Sequence, residues 1–238
     1  SGDNPPEFLL THPVTSSRIS DAFNAADQLE ITGGKKNTLN FELIKGKLKA
    51  RYNSSSPQAT MRYFESIHKN NPSNENTFAY IASLKSSGNF QDALNFNNKL
   101  LEKFPKNLIL NITKAEILLA AQQYDRAELS IEEVLRISPR NYPASMVKAK
   151  ILSSKNESIK AEEILRDLLI KKNKDPGIWM QLSEIQRSGK NIVGYHLSKG
   201  EYFLLVGDFQ NALNQFQFAF GLSGHSFQTS ETILTKIK

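Results

Sequence analysis

The chain has 238 residues, 39% of them hydrophobic, which is enough for one large or two small domains with a core that needs no covalent staples. It has no cysteine, which excludes disulfides and thiolate zinc sites, and no run approaching the roughly 18 to 20 apolar residues of a membrane span. Its 30 Lys+Arg against 24 Asp+Glu give a net charge of +6, but the basic residues concentrate only briefly, at Lys45, Lys47, Lys49, Arg51 and at Lys171, Lys172, Lys174, without interleaved aromatics to stack bases, so no nucleic-acid partner is expected.

The first distinctive stretch is "EFLLTHPVTSSRISDAFNAADQL", from Glu7 to Leu29. Pro13 biases His12 toward an extended conformation, which offers the imidazole from a loop. Thr15, Ser16 or Ser17 can then cap a helix over about residues 17 to 29 whose apolar face is Ile19, Ala22, Phe23, Ala26 and Leu29.

From residue 39 onward the chain resembles itself at a spacing of 34. Ala93, Ala127 and Ala161 keep that spacing, as do Leu84, Leu118 and Leu152, and Leu100, Val134 and Leu168. Pro105 and Pro139 close two units, each followed two residues later by Asn107 or Asn141. This is the tetratricopeptide period, in which one helix pair cannot bury its apolar stripe alone and stacks on the next. Small alanines mark close helix approaches, and larger residues at fixed offsets fill the seams. Three regular units run over 76–105, 111–139 and 145–173, with Gly88 supplying a tight turn in the first.

A degenerate unit precedes them over 39–72. After them the register breaks: Trp179 and Leu182 open a helix that Gly189 ends, and 194–224 restarts the pattern with Gly207, Phe209, Ala212, Phe216 and Ala219. The tail "SFQTSETILTKIK" places Ile233 and Ile237 four apart, as a short capping helix would. The fold expected is an all-α tetratricopeptide-repeat superhelix, an α-solenoid of about nine to eleven helices. Residues 31–238 would form the repeat domain, and 1–30 a separate preceding segment.

Catalytic constellations are missing from the sequence. The histidines are His12, His68, His196 and His225; none is followed by Glu and no two stand four apart, so there is no HExxH helix. "GLSG" at 221–224 lacks the spacing of a nucleophile elbow, and Gly33-Gly34-Lys35-Lys36 lacks that of a phosphate loop. His68 and His196 read as ordinary helix residues and His225 as a loop residue. No catalytic residue, bound metal or cofactor is expected within this chain.

A repeat array instead offers a groove lined by the first helix of each unit. Phe78, Ile112, Met146 and Met180, again 34 apart, occupy the row expected to face it, and Ala82, Glu116, Lys150 and Glu184 form the row beside it. The first row is either a shallow apolar track for an extended or helical peptide, to which methionine adapts well, or seam packing between units. The Lys/Asn pattern that clamps a terminal carboxylate is absent from these rows.

The stretch "FLLTHPVTSSRISDAFNAADQL" resembles the closing segment of zinc metalloproteases related to the prenyl-protein endopeptidases and the heat-shock membrane protease, through Leu10, Thr11, His12, Pro13, Arg18, Ile19 and Ala22. A tetratricopeptide array directly after it, ending in "YHLSKGEYFLLVGDFQNALNQFQFAF", is similar to the periplasmic subgroup of beta-barrel assembly-enhancing proteases. The resemblance implies that residues 1–30 close a metalloprotease domain whose HExxH lies upstream. It implies zinc as the parent enzyme's cofactor, His12 beside that zinc site, and Arg18 anchoring the helix that follows. It also implies a periplasmic location, with outer-membrane barrel proteins or their assembly machinery as partners of non-catalytic repeats. A free-standing scaffold or secretion-system adaptor is the alternative from another class.

Overall fold

The computed structural model describes residues 38–53 and 55–223. His12, His225, the helix expected over 17 to 29 and the expected tail helix lie outside the described residues. Within them the chain is all-helical. The helices are α1 (Leu39–Arg51), α2 (Pro57–Asn70), α3 (Asn74–Ser86), α4 (Phe90–Lys103), α5 (Leu108–Ala120) and α6 (Tyr124–Ile137), followed by α7 (Tyr142–Ser154), α8 (Ser158–Lys172), α9 (Pro176–Ser188), α10 (Ile192–Leu205) and α11 (Phe209–Leu222). None is long and apolar enough to cross a membrane. All belong to one unit, spanning Leu39–Lys238.

The period is written first into the helix starts. Ser73, Asn107, Asn141 and Asp175, each 34 after the last, are the N-caps of α3, α5, α7 and α9. Their side-chain oxygens accept from the amides of Asn76 at 3.2 Å, Leu110 at 3.1 Å, Ala144 at 3.1 Å and Gly177 at 2.8 Å. Each bond satisfies a donor that the first turn would otherwise leave open, a contribution of about 1 kcal/mol per cap. The asparagines that follow Pro105 and Pro139 therefore start helices.

The helix ends carry the same period. Gly88, Gln122, Asn156 and Lys190 all have positive φ, between 59° and 84°, and Gly207 repeats this 17 residues after Lys190. In each turn the next amide reaches back five residues at 2.9 Å: Asn89 to Leu84, Gln123 to Leu118, Glu157 to Leu152, Asn191 to Gln186 and Asp208 to Phe203. This is the Schellman closure, which needs one left-handed residue per turn. Glycine adopts that conformation freely; glutamine, asparagine and lysine adopt it at a cost.

Packing follows the small residues. Ala93, Ala127, Ala161 and Ala212 are fully buried or nearly so, and four residues further each second helix inserts its filler: Asn97, Ile131, Leu165 and Phe216. Gly46 of α1 lies so close to α3 that a β-carbon there would stand 2.3 Å from the Glu75 carbonyl. A β-carbon at Gly200 of α10 would likewise stand 2.4 Å from the Phe216 ring. The irregular step after Ala161 now has a structural cause. The left-handed turns at Lys190 and Gly207 are half a period apart, so α10 serves as the second helix to α9 and as the first helix to α11.

Candidate protein-interaction groove

The row of first-helix residues divides in two. Phe78 is 1% exposed and Ile112 7%, and both belong to the core cluster that includes Leu43, Leu84 and Leu118. Both are therefore core packing and not part of an open track, and α1 lies against α3, the helix of Phe78, with only the hydrogen of Gly46 between the backbones. Met146 and Met180 are half-buried and line a groove of about 810 Å³ together with Lys150 and Glu184. Ala82 lines a separate hollow of about 370 Å³ beside Lys47 and Lys85.

Helices α7 and α9 form the groove's floor. Gln181 of α9 donates from Nε2 to the Met146 carbonyl of α7 at 2.7 Å, which fixes the two helices in register. Met146 and Lys150 are four apart on α7, and Met180 and Glu184 four apart on α9, so each helix shows a thioether with a charged residue one turn further on. On the far side, Lys199 of α10 approaches Met180 Sδ at 3.2 Å and lies 5.3 Å over the Tyr202 ring. Tyr202 itself lines the groove, as does Arg51 at the end of α1.

Glu116, the acid of the second row, is committed elsewhere. Its carboxylate holds Lys85 at 2.6 Å and Lys47 at 3.2 Å, and no part of it lines the larger groove. Burial alone would raise its pKa, but the two ammonium groups outweigh burial and hold it below the usual glutamate value. Glu184 pairs with Arg187 at 2.8 Å. Lys150 is exposed and has no ion-pair or hydrogen-bond partner among the described residues. Among the described residues no group of three His, Cys, Asp or Glu converges as metal ligands would.

Arg51 and Tyr202 are among the groove residues that the sequence does not reveal. Arg51 belongs to the degenerate first unit and Tyr202 to the shared helix α10, so neither falls on the 34-residue row that defines the candidates. In the sequence Arg51 stands out only as part of a basic concentration. The turn geometry around Gly207 is the signal that places Tyr202, since it resets the register by half a period.

A family profile described as tetratricopeptide repeat matches residues 84–134 and 118–185. The structure is similar to a tetratricopeptide repeat protein from Parabacteroides merdae ATCC 43184, at 14% identity and a TM-score of 0.51, over 92% of this chain and 89% of that one. It is also similar to a thermophilic tetratricopeptide-repeat protein of Thermus thermophilus, at 19% identity and 0.51, over 83% and 98%. Human IFIT1, solved as a dimer with m7Gppp-AAAA, aligns at 15% identity and 0.57, over 93% of this chain and 56% of its own length. At such identities these likenesses show the fold alone. Tetratricopeptide repeats typically bind protein partners, and the matched repeats suggest an interaction scaffold here. Residues 84–185 are thus tetratricopeptide repeats, and the helical unit that contains them has the tetratricopeptide-repeat fold.

Proposed function

We propose that this chain is the partner-recruiting array of a periplasmic zinc metalloprotease, and that it brings outer-membrane barrel proteins or their assembly machinery to the enzyme. The observation that carries the recruiting role is the groove over α7 and α9, where two half-buried methionines lie beside a lysine that has no ion-pair partner among the described residues. Support for the protease parent comes from the sequence of residues 10–22, through Thr11-His12-Pro13 and Arg18-Ile19, and from the last repeat. In this reading zinc is held by the parent's HExxH, His12 lies near it, and the repeats make no bond to the metal.

The test uses the full-length protein and a variant lacking residues 39–223, assayed on an unfolded outer-membrane barrel protein and on a short peptide. The expected result is chelator-sensitive cleavage of both substrates by the full-length protein, with the variant cleaving only the peptide. Equal cleavage of the barrel protein by both would remove the recruiting role. A gene that encodes no HExxH would make the chain a free-standing scaffold or adaptor instead.

A further inference from the structure

We infer that the groove over α7 and α9 takes an extended segment of a partner protein in which a large apolar residue and an Asp or Glu stand two residues apart. The inference rests on the reading of this chain as an interaction array and is independent of the protease parent. Charge is the first argument. Glu116 is bound by Lys47 and Lys85, and Glu184 is tied to Arg187. Lys150 and Arg51 both line the groove, and neither has an ion-pair partner among the described residues; the contact of Arg51 is the ring of Tyr52 at 5.9 Å. The second row therefore has its acids neutralised and its lysine open, so the complementary ligand group is a carboxylate.

Spacing is the second argument. Residues four apart on a helix face stand about 5–6 Å from one another, which sets the distance from Met146 to Lys150. In an extended strand, residues two apart lie on one face and about 6.6 Å from each other. One face of an extended segment can thus place an apolar side chain against Met146 and Met180 and a carboxylate at Lys150. Methionine floors accept leucine, isoleucine or phenylalanine without demanding one shape. Backbone groups of the segment would meet Ser153 and Ser154, which line the same groove.

The experiment uses fluorescein-labelled, acetylated and amidated octapeptides of glycine and serine that carry Leu and Glu two residues apart, with anisotropy measured on the 238-residue chain. Replacing Glu by Gln, or Leu by Ser, should weaken binding by about tenfold each. Lys150→Glu should lose the Leu–Glu peptide and gain a Leu–Lys peptide, with its thermal midpoint unchanged because Lys150 is exposed. Equal binding of the Gln peptide, indifference to Lys150→Glu, or no binding of any peptide at millimolar concentration would each overturn the inference. None of these outcomes depends on whether the full-length protein cleaves anything.

Discussion

Lys85 of α3 donates to Glu116 of α5 across 31 residues of sequence at 2.6 Å, while Lys47 of α1 reaches the other carboxylate oxygen at 3.2 Å. One acid thus joins three successive first helices. Its folded pKa is lowered, burial being overcome by the two lysines, so its contribution is fully present above the unfolded value of 4.5 and is lost as pH falls through the folded value. Glu116→Gln should cost about 1–2 kcal/mol at pH 7, a figure reduced from that of a fully buried pair because the side chain is 22% exposed. Urea midpoints at pH 7 and pH 3.5 should differ less for the variant than for the wild type. An equal pH dependence in the two would show that the triad is not a source of acid sensitivity.

The left-handed turns lead to a stabilising prediction. Gln122 and Lys190 hold the conformation that Gly88 holds without strain, with φ of 59° and 60°. Gln122→Gly and Lys190→Gly should each stabilise by about 0.5–1 kcal/mol, the relief of strain being partly offset by the greater freedom of glycine in the unfolded chain. Gly88→Ala should destabilise by about 1 kcal/mol. Denaturant midpoints of the three variants check the order.

The contrast between these turns and the alanines explains what could be read without a structure. Ala93, Ala127 and Ala161 repeat in identity, because close packing admits one kind of side chain, so the period and the helix-pair fold were legible. The turn repeats in conformation and not in identity, as Gly88, Gln122, Asn156 and Lys190, and only the 34-residue offset from Gly88 reveals it. The groove was half legible. The period put Phe78, Ile112, Met146 and Met180 on one face, but their exposure depends on what the neighbouring unit lays over that face. At the first units Phe78 and Ile112 are buried in the core cluster that includes Leu43 of α1, whereas Met146 and Met180 are half-buried and line the groove.

Asn97 is a polar residue at a filler site held elsewhere by Ile131, Leu165 and Phe216. Its Nδ2 donates to the Leu110 carbonyl at 3.1 Å, but its buried Oδ1 has no partner among the described residues. Leu110 lies within α5, where the helix already uses that carbonyl. Asn97→Leu should therefore raise stability by about 1 kcal/mol, since it removes an unsatisfied acceptor and adds apolar volume of similar size. Thermal unfolding of the variant reads this directly, and a lower midpoint would mean that the Leu110 bond outweighs the orphan oxygen.

His68 provides a second pH response. The Thr77 hydroxyl donates to the Ser73 carbonyl at 2.8 Å, so in the 3.1 Å contact between Thr77 Oγ1 and His68 Nδ1 the ring nitrogen is the donor. The neutral ring is stacked on Tyr80 and set edge-on to Phe96. Burial, then the nearby Lys99, lowers its pKa below 6.5. Stability from the neutral ring is present above 6.5 and falls as pH drops toward the folded value. His68→Phe should flatten the stability profile below about pH 6.5. An unchanged profile would assign the acid sensitivity of this region to other groups.

The central claim, that partners dock over α7 and α9, is open to a three-signal experiment, because the chain has three methionines and two of them line the groove. The third, Met61 on α2, packs against the core near the other end of the array and serves as the internal control. With carbon-13 methyl-labelled methionine, titration with the Leu–Glu octapeptide should shift the Met146 and Met180 methyl resonances and leave Met61 in place. Shifts at Met61 alone, equal shifts at all three, or no shift at saturating peptide would contradict it.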